Sequence, residues 1–132
     1  MLIAYVDSSD PQWIKQLESI VGNDKLKASR RFRQFGLLET QLKLIRCHMP
    51  FIKDIYVACA FESQAPSFLE DYGARAVFHR DFIPQKHLPT FSANTIEMFM
   101  PCIEQLSEKF VYFNDDMFPV QRCCIDDFFK DG

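Results

Sequence analysis

The chain has 132 residues, the length of one ordinary domain. A hydrophobic share of 48% against 25% charged residues excludes a disordered chain, and 14 Phe residues predict a core thick with rings. A net charge of −3 argues against nucleic acid as the main partner.

The first apolar run, Met1 to Val6, is too short for a signal peptide and lacks a basic leader. No stretch approaches the roughly 18 apolar residues of a membrane-spanning helix. These two features predict a cytoplasmic location. The five cysteines, Cys47, Cys59, Cys102, Cys123 and Cys124, show no metal-type pair spacing and are expected as reduced thiols.

In chain order, Leu2 to Val6 reads as a first strand that ends at Asp7. Asp10-Pro11 looks like a helix start, with Asp as N-cap and Pro at the first helical position, and Gly22-Asn23 ends the helix after about Val21. Lys25 to Arg33 is a basic segment. Leu37, Leu38, Leu42, Ile45 and Met49 carry helical spacing, which predicts a second helix from about Gly36 to His48, closed by Pro50. Asp54 to Ala60 and Ala74 to Phe78 read as strands, with a short helix around Ser67 to Asp71 between them. Asp81 to Thr90, with Pro84 and Pro89, reads as an ordered loop. Ser92 to Leu106 is predicted as a third long helix, kinked or divided at Pro101. A strand over Lys109 to Phe113 and a short segment over Asp126 to Phe129 complete the chain. Strand–helix–helix–strand–strand–helix–strand predicts an α/β, Rossmann-like fold, a mostly parallel sheet with helices on both faces.

The most informative junction is Lys109-Phe110-Val111-Tyr112-Phe113 running into Asn114-Asp115-Asp116. In open α/β sheets, ligands bind outside the carboxyl ends of the strands. Adjacent carboxylates there suit a magnesium ion shared with substrate phosphates. A plain polar turn uses the same residue types. Asp7 and Asp10 flank two serines after the first strand, either as a second acidic group at that edge or as a turn and a helix cap. Asn94 and Glu97 fit a capping pair, and equally place a carboxylate where it could act as ligand or base. Arg31 and Arg33 alternate around Phe32, and Arg forks suit a diphosphate, although a solvated basic face is the ordinary reading. His48, His79 and His87 are scattered and suggest no metal triad.

Several separate segments together resemble one family. Ile3-Ala4-Tyr5-Val6-Asp7-Ser8-Ser9-Asp10-Pro11-Gln12-Trp13 resembles the opening block of the Stealth proteins. Arg31-Phe32-Arg33, Pro50 through Val57, His79-Arg80-Asp81-Phe82-Ile83-Pro84, Leu88 through Glu97, Leu106 through Asp116 and Asp127-Phe128-Phe129 follow the long second block in order. The resemblance implies one domain over residues 1–132, matching the first two blocks of a longer, here truncated, protein. It implies transfer of a sugar 1-phosphate from a nucleotide sugar, such as UDP-N-acetylglucosamine, to a hydroxyl of an acceptor polysaccharide in capsule synthesis at the inner membrane surface. It further implies that Asp115, Asp116 and Glu97 form the catalytic, metal-holding group for Mg²⁺ or Mn²⁺. Asp7, Ser9, Asp10, Asn94 and Asn114 would lie at the nucleotide-sugar pocket, with Arg31 and Arg33 facing the diphosphate. Two alternatives stand beside it: a non-catalytic module that binds nucleotide sugar and metal, and a metal-dependent glycosyltransferase that breaks the glycosyl bond.

Overall fold

The computed structural model describes residues 1–22 and 35–130. Four parallel strands form one sheet: β1 (Leu2–Ala4), β2 (Ile55–Cys59), β3 (Ala74–Phe78) and β4 (Tyr112–Asn114), in the order β3-β2-β1-β4. Every residue of β2 is buried, as expected for a central parallel strand covered on both faces.

Helix α1 (Pro11–Val21) starts as its sequence dictates. The buried Asp10 carboxylate accepts from the Trp13 backbone N–H at 2.7 Å, and Pro11 fills the first position. Gly22, with φ +76°, ends it in a conformation that side-chain-bearing residues avoid.

Helix α2 (Leu38–His48) lays Leu38, Leu42 and Ile45 on one face of the sheet, against Ile3, Ile55, Val57 and Phe113. At its far end Arg46 staples the opposite edge of the sheet, donating to the carbonyls of Ile52, Lys53, Tyr72 and Gly73 at 2.7–3.1 Å. The other face packs Leu2, Tyr56, Ala58 and Val77 under Phe82, Ile83, Met100 and Ile103. Helices therefore cover both faces, in agreement with the expected class.

Several boundaries differ from the sequence reading. β1 stops at Ala4 and β4 begins only at Tyr112, so the two pair over three residues. The expected long helix from Ser92 is short: α4 (Ala93–Phe99) passes into a 3-10 turn, Met100–Cys102, and then ends. Pro101 lacks an N–H and its ring clashes with the preceding turn, which accounts for the stop. The stretch expected as a loop after β3 opens with a single helical turn, α3 (His79–Phe82), and has a 3-10 turn at Gln85–His87.

The chain runs from β1 outward through β2 to β3, then crosses back to place β4 on the other side of β1. The strand order reverses between β1 and β4. At such a switch point the two connections leave in opposite directions and open a crevice beyond the strand ends.

Candidate functional site

A cleft of about 200 Å³ occupies that crevice. Its floor is the carboxyl edge of the sheet: Tyr5 and Val6 after β1, Ala60 after β2, His79 after β3, and Asn114 and Asp115 at the end of β4. Trp13 of α1 and Phe91 of the loop before α4 form an apolar wall, their rings meeting edge to face at 5.4 Å and 75°.

The acidic turn beyond β4 is fixed from behind by a side chain the sequence reading overlooked. Gln41 of α2 is fully buried, and its Nε2 donates to the Asn114 carbonyl at 2.7 Å and the Met117 carbonyl at 2.6 Å. A second buried glutamine, Gln64, does similar work for the turn after β1. Its Nε2 donates to the Asp7 carbonyl at 3.0 Å, while its Oε1 accepts from the Ala60 N–H at 3.4 Å. A polar residue amid the apolar stripe Leu38, Leu42, Ile45 was the available signal for Gln41. A buried amide there needs partners: its Nε2 finds two on the turn, while its Oε1 is left without one.

Tyr112 links the turn to α4. Its Oη lies 2.5 Å from Asn114 Oδ1 and 3.2 Å from Glu97 Oε1. One hydroxyl proton serves only one of two acceptor oxygens. The 2.5 Å contact to Asn114 Oδ1 is the shorter, so the hydroxyl donates there and the Glu97 carboxylate is a longer second acceptor. Burial, then Glu97, then Asp115 and Asp116 hold the Tyr112 phenol well above its ordinary value, so it stays a donor. Burial first, then the neighbouring Asp116 charge, raises the Asp115 carboxyl above the ordinary carboxylate value. Asp116 itself is exposed.

The other sequence-predicted site residues fall in distinct places. Asp7 Oδ1 accepts from the Ser9 N–H at 2.9 Å and the Ser9 hydroxyl at 2.6 Å, closing the turn after β1 at the same sheet edge. Asp10 serves as the cap of α1. Asn94 is exposed on the first turn of α4, whose N-cap is Ser92, so Asn94 and Glu97 do not form the capping pair that their spacing suggested. Arg31 and Arg33 lie outside the described residues. Among the described residues, no three His, Cys, Asp or Glu side chains gather closely enough to hold a metal by themselves.

Residues 31–132 match the family model for Stealth protein CR2, conserved region 2. The chain belongs to the Stealth family. This Stealth chain is 32% identical to a capsular polysaccharide phosphotransferase of Streptococcus thermophilus, over 97% of its own length and 56% of the relative's. It is 32% identical to a capsular polysaccharide phosphotransferase of Streptococcus pneumoniae, over 99% of its length and 41% of that protein's. With an exopolysaccharide phosphotransferase of Lactiplantibacillus plantarum it shares 29% identity, over 98% of its length and 39% of that protein's. It thus spans about half or less of the curated relatives it matches. The segment that builds the acidic turn and the cleft floor after β2 and β3 lies inside the matched region.

Proposed function

We propose that the switch-point cleft binds a nucleotide sugar, and that the protein transfers its sugar 1-phosphate to a hydroxyl of an acceptor sugar in cell-surface polysaccharide synthesis. The observation that carries this reading is the Asn114-Asp115-Asp116 turn. It is held by Gln41 at the β1/β4 reversal, where α/β sheets receive their ligands. The relatives' names, capsular and exopolysaccharide phosphotransferase, support phosphoryl transfer as the chemistry.

The donor set suits a magnesium or manganese ion held jointly with phosphate oxygens. Magnesium is usually bound by one or two carboxylates together with substrate phosphates, rather than by a full protein cage. Asp115 and Asp116 supply two adjacent carboxylates, and Tyr112 ties Glu97 to the same turn at Asn114. When bound, the ion neutralises charge on the diphosphate. The chain's own contributions are the fixed turn and the apolar wall of Trp13 and Phe91 for the donor's ring system. By resemblance, Arg31 and Arg33 would add positive charge against the diphosphate.

In the reaction the acceptor oxygen bonds to the phosphorus that bears the sugar. The phosphoanhydride bond on the far side breaks, the acceptor proton passes to a base, and the nucleoside monophosphate leaves. Positioning and charge neutralisation supply most of the catalysis in such transfers. The protein would act in the cytoplasm, at the inner membrane surface where the acceptor is assembled.

Product analysis tests the reaction type. Incubation with UDP-N-acetylglucosamine, Mg²⁺ and a glycoside acceptor should release UMP together with a phosphodiester. Release of UDP would establish glycosyl transfer instead, and release of neither would contradict turnover by this chain.

A further inference from the structure

Asn114 is held at two points. Its carbonyl accepts from Gln41 Nε2 at 2.7 Å, and its side-chain Oδ1 lies 2.5 Å from the Tyr112 hydroxyl. Tyr112 and Asn114 are two residues apart on β4, so both side chains stand on the same face of the sheet. Phe113 between them turns into the core under α2, while the Tyr112 ring packs against the opposite cluster. Asn114 is exposed and lines the cleft, whereas Tyr112 does not line it.

The lengths of the two contacts decide which end of the amide is taken. A bond donated by Tyr112 to the Glu97 carboxylate would be charge-assisted and the shorter of the two, at about 2.5–2.7 Å. The Glu97 contact instead measures 3.2 Å, beyond the usual range for a hydroxyl donor. The proton therefore lies on the Asn114 bond, with Oδ1 as its acceptor. The amide has only its Nδ2 end left to offer, and that end has no partner among the described residues. Since Oδ1 faces a residue outside the cleft lining, Nδ2 is the end turned toward the cleft.

We propose that Tyr112 is a positioning residue that sets which end of the Asn114 amide meets the ligand. The pinned amide donates an N–H to a phosphate oxygen of the bound diphosphate and is not a ligand of the metal ion. This role rests on the donor reading of the cleft. Hard divalent ions take oxygen ligands, and the side-chain oxygen of Asn114 is already engaged. Asp115 and Asp116 repel a phosphate until a cation binds, whereas the Asn114 N–H attracts it directly. Were the amide turned, its carbonyl would add a third acceptor facing the anion. The Tyr112 hydroxyl thus decides whether position 114 favours or opposes the diphosphate.

Titration of UDP-N-acetylglucosamine into the 132-residue chain over a series of Mg²⁺ concentrations separates nucleotide affinity from the Mg²⁺ requirement. Tyr112→Phe keeps the ring in its cluster and removes only the hydroxyl. It should weaken nucleotide binding about threefold to tenfold, as for one hydrogen bond no longer held in place. The Mg²⁺ concentration for half-maximal binding should stay the same. Asn114→Asp, which puts an oxygen where the N–H was, should weaken binding at least as much at every Mg²⁺ concentration. Unchanged affinity in a folded Tyr112→Phe chain would reduce the hydroxyl to a structural contact and overturn the assignment. Tighter binding or a lower Mg²⁺ requirement in Asn114→Asp would make position 114 a metal ligand, and would overturn it equally. No binding by the wild type at any Mg²⁺ concentration would defeat the donor reading and this role with it. Wild-type binding that neither variant weakens would defeat the role of Tyr112 alone.

Discussion

Asp115 illustrates a side chain placed against its own electrostatic preference. Burial and the Asp116 charge raise its carboxyl above the ordinary value, so the folded chain holds that proton more tightly than the unfolded chain does. Stability from that neutral form is complete at low pH and is lost as pH rises through the folded value. At neutral pH the charged group is a liability that a bound cation relieves. Asp115→Asn should therefore raise the melting temperature while abolishing magnesium-dependent nucleotide binding. Scanning fluorimetry beside a binding titration checks both, and a lower melting temperature with intact binding would contradict this account.

His79 has the opposite sign. Burial lowers its imidazole from 6.5 to about 4, so it is neutral at pH 7 in the folded chain. The unfolded chain takes up its proton first as pH falls through 6.5, and stability is lost from there down to about 4. The loss from this group amounts to about 2 kcal/mol between pH 7 and pH 5, a range that ordinary carboxylates largely leave alone. His79→Gln should remove that slope in urea unfolding at the two pH values. An unchanged slope would place the proton elsewhere.

At the scale of elements, α2 acts as both a core helix and a brace. Its apolar stripe holds the sheet, and Gln41 on the same stripe holds the acidic turn. Gln41→Leu preserves the packing shape but leaves the Met117 carbonyl without its donor. It should cost about 1–3 kcal/mol in unfolding free energy and loosen the turn enough to weaken nucleotide binding. Equal affinity in a destabilised variant would separate the brace from the site.

The elements also show what a sequence reveals and what it withholds. The start and end of α1 were legible, because Asp10-Pro11 and Gly22 act on their own backbone and need no distant partner. β3 was legible to the residue for a similar local reason. The overlong helix from Ser92 was a misjudgement of how completely Pro101 ends a helix that lacks buried residues to carry it further. The acidic turn was visible as a motif, yet its anchor was not: Gln41 meets Asn114 across 73 positions of sequence. The Tyr112 link between Glu97 and Asn114 was equally hidden, since it depends on α4 packing over β4.

For the whole molecule, the strand order decides where chemistry is feasible. Reversal between β1 and β4 opens one crevice at the carboxyl edge, and the acidic turn lies on it. The core on the α2 face sits beneath that crevice. Leu42 is fully buried there, and Leu42→Ala should cost about 2–5 kcal/mol by chemical denaturation. A cost below about 1 kcal/mol would mean that α2 does not brace the sheet as described.

The central claim is a metal-dependent nucleotide-sugar site at the β1/β4 crevice. Calorimetric titration of UDP-N-acetylglucosamine into the chain tests it most directly, with and without Mg²⁺ and beside Asp116→Asn. The account predicts binding that requires the ion and disappears in the folded variant. Binding of equal strength without Mg²⁺, or in Asp116→Asn, would contradict it.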